Sequence, residues 1–85
     1  MFTVYALRSL KTGKRYVGST GDLEARLEAH SRGKVRATKG GRPWVLAYRE
    51  EYVTNGEARK REASLKTGKG RAELDRLLGL GGSAP

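Results

Sequence analysis

Several residue types that mark particular classes of protein are scarce in this sequence. Cysteine is absent from the 85 residues, and histidine and tryptophan occur once each. Without cysteine the chain forms neither a disulfide nor a thiolate metal site, and a single histidine cannot complete a zinc site. This composition is typical of a reducing compartment, so we expect a cytoplasmic protein.

Long apolar runs are also missing, and none reaches the length of about 20 residues that crosses a bilayer. The segment Met1 to Ser9 is apolar in part, but no basic region precedes it and no cleavage signature follows it. We therefore expect no membrane association. A chain of 85 residues fits one compact domain. We predict that this domain spans residues 1–78 and that residues 79–85 form a flexible tail.

Acidic residues are outnumbered, because 18 Lys and Arg face 9 Asp and Glu and leave a net charge of +9. Residues 32–42 hold five basic residues and no acidic one, and residues 59–71 hold six basic residues and one carboxylate, that of Glu62. Such an excess indicates a polyanionic partner, of which nucleic acid is the commonest. The alternative is a solvated surface, but charge that serves only solubility usually mixes both signs.

Residue patterns predict the element order ββαβαα. Aromatic and β-branched residues in Phe2 to Arg8 and in Arg15 to Ser19, with turn residues between them, predict a β-hairpin. A third strand is predicted at Val45 to Val53, after Pro43. The predicted fold is therefore α+β, with a small three-stranded antiparallel sheet flanked by helices.

The first helix is predicted from a change of periodicity. Leu23 and Leu27 are four residues apart, as on one face of an amphipathic helix. Thr20 or Asp22 would begin this helix, and Gly33 would close it.

Two further helices are predicted in the second half of the chain. The sequence Thr54–Glu57 matches a capping box and predicts a helix that runs to Gly68, and leucines at helical spacing predict a shorter one at Arg71 to Leu78. The hexapeptide Ser-Leu-Lys-Thr-Gly-Lys occurs at Ser9–Lys14 and at Ser64–Lys69. We interpret both copies as turn punctuation, with glycine in a conformation that other residues resist, and not as a repeat.

Common catalytic motifs are missing. The segment Gly13–Thr20 is similar to a phosphate-binding P-loop but lacks the lysine after its second glycine. The nucleophile elbow that a Ser-His-Asp hydrolase would need is also absent.

One carboxylate lies where a charge is costly. Ala58, Glu62 and Leu65 are spaced to share one face of the second helix, so Glu62 stands among small and apolar residues and must be paired or must hold a cation. A salt bridge to Arg26 or to another arginine is the structural alternative. Arg26 and His30 share one face of the first helix, a weak signal when taken alone.

Together with two tyrosines, these residues form a pattern that is specific enough to indicate a family. The motif residues are Val4-Tyr5, Tyr16-Val17-Gly18-Ser19-Thr20, Asp22-Leu23, Arg26, His30, Glu57-Ala58, Glu62 and Lys66. In this order and spacing the chain resembles the GIY-YIG nuclease superfamily over roughly Met1 to Leu78. It is most similar to the short, stand-alone bacterial YhbQ/YazA-like branch.

The resemblance implies a metal-dependent endonuclease with Tyr5, Tyr16, Arg26, His30 and Glu62 at its catalytic site. Glu62 would bind Mg²⁺ or Mn²⁺ together with waters and phosphate oxygens, because one carboxylate cannot build a cage by itself. Arg26 would hold the scissile phosphate. Either tyrosine would activate water, and His30 would carry the proton or position the tyrosine and the water.

The substrate implied is DNA more than RNA, with branched, flap or single-stranded forms, in repair or recombination. Trp44 would stack on a base or, as we favour here, belong to the core. The alternatives are a non-catalytic nucleic-acid-binding protein that retains the fold, and a structural partner within a larger complex. A protein partner could supply substrate recognition. The residues predicted to hold the nucleic-acid backbone are basic: Arg32, Lys34, Arg36, Lys39, Arg42, Arg59, Lys66 and Lys69.

Overall fold

The computed structural model describes residues 1–79, and within them the chain forms three strands and three helices in the predicted order ββαβαα. The strands are β1 (Phe2–Ser9), β2 (Arg15–Thr20) and β3 (Trp44–Tyr52), and the helices are α1 (Leu23–Ser31), α2 (Asn55–Leu65) and α3 (Gly68–Leu77). The sheet is antiparallel with the strand order β2-β1-β3. The α+β prediction is confirmed. Apart from Gly79, the predicted tail lies outside the described residues.

The central strand β1 is covered on both faces. Val4 and Ala6 point to one face and pack with Ala58 and Leu65 of α2 and Leu74 of α3 to form the hydrophobic core. Tyr5, between them in sequence, points to the opposite face and contacts α1. A central strand that is buried on both sides therefore joins the core to the second, more polar face, where most of the candidate site lies.

Local capping residues set both ends of α1 and the start of α2 as predicted. The Asp22 side chain accepts a hydrogen bond from the backbone of Ala25, and Gly33 follows the helix with a φ of +75°. At α2 both hydrogen bonds of the predicted capping box are present, between Thr54 and Glu57.

The boundary between α2 and α3 was predicted wrongly. Helix α2 ends at Leu65 rather than Gly68, and α3 begins at Gly68 rather than Arg71. The reason is Thr67, whose hydroxyl accepts a hydrogen bond from Gly70 N and caps a new helix. Gly68 is therefore the first residue of α3 and not a positive-φ terminator, whereas Gly13 in the first copy of the hexapeptide has a φ of +76° as expected.

Candidate active site

The centre of the site is a buried chain of hydrogen bonds that starts at Tyr5. Tyr5 Oη lies 2.8 Å from His30 Nε2, and His30 Nδ1 lies 2.7 Å from Thr38 Oγ1. Thr38 Oγ1 in turn donates to Val35 O at 3.4 Å. If the Thr38 hydroxyl donates to that carbonyl, it accepts from Nδ1–H, and Nε2 is left to accept the Tyr5 proton. The network thus assigns the tautomer of His30.

Arg26 and Tyr16 complete this half of the site. Arg26 Nε donates to Tyr5 Oη at 3.4 Å, so the phenol oxygen accepts one hydrogen bond while donating another. The Tyr16 ring lies edge-on to His30, with 5.1 Å between ring centroids, and 6.4 Å from the Tyr5 ring. The four side chains predicted from the two strands and the first helix are therefore in mutual contact.

The electrostatics of this half favour a neutral phenol and a neutral imidazole. Burial raises the pKa of Tyr5 and outweighs the hydrogen bond from Arg26, which acts in the opposite direction. Burial and the charge of Arg26 together lower the pKa of His30. A free tyrosinate is thus disfavoured near pH 7, and a neutral His30 stands ready to accept the Tyr5 proton.

Glu62 approaches the site from α2 on the other face of the sheet. Its Oε1 accepts a hydrogen bond from Ser19 Oγ at 2.5 Å, and its Oε2 accepts one from Lys66 Nζ at 2.7 Å. Burial would raise the pKa of Glu62, but these two hydrogen bonds and the charges of Lys66 and Arg59 lower it. Glu62 is consequently an ionised carboxylate at neutral pH.

The free edge of β2 is where the two halves meet. Tyr16 and Gly18 point to the α1 face, and Ser19 points to the α2 face, because side chains alternate along a strand. Lys66 Nζ lies 6.0 Å from the centre of the Tyr16 ring, so the Glu62–Lys66 pair borders the tyrosine half. A phosphodiester lying along this edge would meet both halves.

The carboxylate of Glu62 is a suitable ligand for a hard divalent cation, but one carboxylate is too few to enclose it. Among residues 1–79 no three His, Cys, Asp or Glu side chains lie close enough to enclose a metal ion. A cation would therefore bind Glu62 and fill its remaining positions with water and phosphate oxygens. The exposed ammonium of Lys66 would have to leave Oε2, which a flexible side chain can do.

The structure also decides between the alternatives for the partner of Glu62 and for the location of Trp44. The structural alternative of a salt bridge between Glu62 and an arginine is not present among the residues that the structure describes, since Ser19 and Lys66 bind the carboxylate. The preference for Trp44 in the core is wrong. Its indole is partly exposed and stands apart from the core residues, and its Nε1 donates to Thr38 O at 2.7 Å.

Three further residues shape the site. Thr38 orients His30, and Ser19 orients Glu62. A Cβ added at Gly18 would lie 2.6 Å from Tyr5 Oη, so this glycine makes room for the hydroxyl. The alternation of Val17 and Ser19 in β2 would have indicated Ser19, whereas Thr38 lies in an irregular loop that carries no such signal.

The predicted backbone-binding residues lie in two regions. Five belong to the segment between α1 and β3, which the structure forms as a loop with a 3₁₀ turn at Lys39–Gly41. Of these, Arg32 pairs with Glu28 on the surface and Arg42 Nε donates to Lys39 O. Of the others, Arg59 lies on α2, Lys66 is its C-cap and Lys69 lies in the first turn of α3. Arg61, which belongs to the same basic run, is instead bound by Glu50 and Glu73 and is structural.

Comparisons with known proteins agree with this geometry. The family model described as the GIY-YIG catalytic domain matches residues 1–74. UPF0213 proteins of Staphylococcus aureus strains Mu3, Mu50 and MW2 are 46% identical over 56 residues, which cover 65% of this chain and 68% of each relative. No solved structure matches the chain.

The chain belongs to the GIY-YIG family, a family of nucleases that are generally dependent on divalent metal and act on nucleic acid. The UPF0213 relatives agree with the predicted similarity to the short, stand-alone branch. None of the helices within residues 1–79 has both the length and the apolar character that crossing a membrane requires.

Proposed function

We propose that this protein is a metal-dependent endonuclease that hydrolyses phosphodiester bonds in DNA. Branched, flap or single-stranded DNA would be the substrate, in repair or recombination, with the cytoplasm as its location. The observation that carries the proposal is the buried Tyr5–His30–Thr38 chain, with Arg26 beside it and the ionised Glu62 at the same strand edge.

The hydrogen bonds favour Tyr5 over Tyr16 as the group that activates water, and because Tyr5 is almost fully buried, binding of the substrate would have to open its Oη to one water. As a water oxygen attacks phosphorus, its proton would pass to Tyr5 Oη while the phenol proton moves to His30 Nε2. The bond from phosphorus to the leaving oxygen then breaks, and His30 is left as an imidazolium held by Thr38. Such a relay replaces a free tyrosinate, which the raised pKa of Tyr5 disfavours, by a short-lived imidazolium, which the lowered pKa of His30 beside Arg26 makes costly.

Charge at the phosphate would be met from both sides of the β2 edge. Arg26 has guanidinium donors beyond the Nε–H used by Tyr5, and these would hold the phosphate oxygens. Mg²⁺ or Mn²⁺ held by Glu62 would stabilise the charge that develops on the leaving oxygen. Ser19 would keep the carboxylate in place when Lys66 moves away.

Two basic pockets support a path for the nucleic acid across this edge. One is lined by Lys14, Arg15, Lys66 and Arg71 and shares Lys66 with the Glu62 pair. The other lies at the basic loop beyond Thr38. Contacts of this kind position a backbone without reading its sequence, so a protein partner would supply any tight recognition.

Cleavage of a panel of labelled flap, branched, single-stranded and duplex DNA, with matching RNA, tests the proposal. The protein should cut at least one DNA form with Mg²⁺ or Mn²⁺ and none with a chelator. Tyr5→Phe should remove cutting while Tyr16→Phe keeps part of it. If the protein binds these substrates but cuts none of them, it is the non-catalytic binding protein instead. If only Tyr16→Phe is inactive, the relay through Tyr5 is wrong.

A further inference from the structure

An open pocket of about 840 Å³ lies between the hairpin loop, the basic loop and the start of β3. This volume is within the range of about 300–1,000 Å³ that small-molecule sites show. The residues that line it carry positive charge and no negative charge, and one of them is the single tryptophan of the chain: Lys11, Ser31, Arg36, Lys39, Gly40, Arg42, Pro43 and Trp44.

Trp44 is held in place in this pocket by its polar atom. Its indole Nε1–H, the only hydrogen-bond donor of the side chain, is already used by Thr38 O at 2.7 Å. The carbon skeleton passes close to Gly41, where an added Cβ would lie 2.6 Å from the ring. What the indole still offers to a ligand is therefore aromatic surface, in an orientation that the fold fixes.

The cations around the ring are suited to phosphate groups. Lys11, Arg36 and Lys39 have exposed side chains, and Arg42 is anchored through its Nε to Lys39 O. An aromatic surface bordered by cations is the arrangement that binds single-stranded nucleic acid, in which the base stacks and the backbone meets the charges. A base inside a duplex has both faces covered by its neighbours, so such a surface favours an unpaired base.

The pocket is linked to the catalytic chain by one residue. The backbone carbonyl of Thr38 accepts from Trp44, and its hydroxyl holds His30 Nδ1. A nucleotide bound against Trp44 would therefore lie beside the residue that orients the proton acceptor. The pocket and the buried Tyr5–His30–Thr38 chain therefore share Thr38.

We propose that this pocket is a subsite for one unpaired nucleotide, whose base stacks on Trp44 and whose phosphates are held by Lys11, Arg36 and Lys39. The proposal rests on the proposed function for its substrate class and makes that class narrower. The protein would select nucleic acid in which at least one base next to the cleavage point is unpaired.

Binding of short oligonucleotides, followed without metal so that no strand is cut, tests the subsite. The single tryptophan makes its fluorescence a reporter of this pocket alone. A single-stranded thymidine pentamer should quench that fluorescence with saturation. A pentamer of the same backbone without bases should leave it unchanged and bind at least about 5-fold more weakly. The test removes the bases from the ligand and leaves Trp44 in place, so the hydrogen bond from Trp44 to Thr38 O stays intact.

Variants on the surface give matched controls. Lys11→Ala should weaken the binding of both pentamers, whereas Arg76→Ala, which removes an equal charge from the exposed side of α3, should change neither. Equal affinity for both pentamers with unchanged fluorescence overturns the subsite, even if the protein cuts DNA. Quenching by the thymidine pentamer in a protein that cuts nothing supports the subsite and overturns only the nuclease activity.

Discussion

The proposed proton relay would depend on residues that do not contact the substrate. His30 can accept from Tyr5 only while its other nitrogen carries hydrogen, and the hydroxyl of Thr38 supplies the matching acceptor. Thr38 and His30 are both almost fully buried, so water cannot replace this partner. Thr38 is therefore a positioning residue for the tautomer of His30.

Thr38→Val keeps the shape of the side chain and removes its hydroxyl. We expect kcat to fall by about tenfold or more, because general base catalysis needs the correct tautomer. We also expect a loss of about 1–3 kcal/mol in the free energy of unfolding, since Nδ1–H is left unpaired. Thr38→Ser should restore both. Steady-state cleavage and urea unfolding measure them, and an equal loss of kcat in Thr38→Ser and Thr38→Val would show that the hydroxyl is irrelevant.

Gly18→Ala tests how closely Tyr5 must be placed. The added methyl group would lie 2.6 Å from Tyr5 Oη, and the buried phenol has little room to retreat. A displacement of about 1 Å at a reacting group typically costs about 10²-fold in rate. Gly56→Ala, where a Cβ meets nothing within 4 Å, is the matched control and should cut normally. Normal cutting by Gly18→Ala would mean that Tyr5 Oη takes no part.

The lowered pKa of His30 also makes stability depend on pH. Unfolded histidine titrates near 6.5, and the folded pKa is lower because of burial and the charge of Arg26. Between these two values the unfolded chain binds a proton that the folded chain does not. Stability is therefore full above about pH 6.5 and falls as the pH is lowered below it. Urea unfolding from pH 7.5 to 5.5 should show this slope, and His30→Gln should flatten it.

At the scale of elements, the repeated hexapeptide shows how context decides structure. At Ser9–Lys14 the serine hydroxyl accepts from the backbone of Lys11 and Thr12 in a hairpin loop. At Ser64–Lys69 the same six residues lie across a helix end and a helix start. Local caps such as Asp22 and Thr54 were readable in the sequence because their partners are three residues away. The boundary after Leu65 was missed although the cap at Thr67 also binds a residue three positions away, Gly70. The glycine of the hexapeptide was interpreted as a terminator, and the sequence carries no signal for the close packing of α3 against α2.

That packing depends on Gly70. A Cβ added there would lie 1.9 Å from Ser64 O, which is backbone and cannot move aside cheaply. We expect Gly70→Ala to lower the free energy of unfolding by about 1–3 kcal/mol. Gly68→Ala, two residues earlier with nothing within 4 Å, should leave stability unchanged or raise it by up to about 1 kcal/mol. Thermal unfolding of both variants compares them, and equal midpoints would contradict a close contact between the helices.

At the scale of the whole molecule, the sheet combines residues that are distant in sequence. Family motifs identified Tyr5, Tyr16, Arg26, His30 and Glu62, and the structure brings the first four together and sets Glu62 at the bordering strand edge. No local pattern placed Thr38 against His30. The alternation in β2 indicates the face of Ser19 but not its partner Glu62, because these two residues become neighbours only in the completed fold.

The basic residues fall into two groups, those that the fold binds internally and those that remain exposed. Arg61 has a structural role, since Glu50 and Glu73 bind it. Burial alone would raise the pKa of Glu50, but hydrogen bonds from Arg61, Tyr48 and Tyr52 outweigh burial and lower this pKa to about 2. The basic loop and the pocket at Lys66 and Arg71 instead present exposed cations, in two separate pockets. Total charge predicted a polyanionic partner, but only the fold separates structural from available cations.

The central claim is that Glu62 belongs to a hydrolytic centre, and Glu62→Gln tests it most directly. The amide keeps the shape and the hydrogen bond from Ser19 but loses the charge that a divalent cation requires. Cleavage and binding should be measured in parallel with Mg²⁺ or Mn²⁺ on the substrate that the protein cuts best. We expect Glu62→Gln to bind this DNA with unchanged or higher affinity and to cut it at least about 10²-fold more slowly. Equal cutting rates of the two proteins on every substrate would contradict the account.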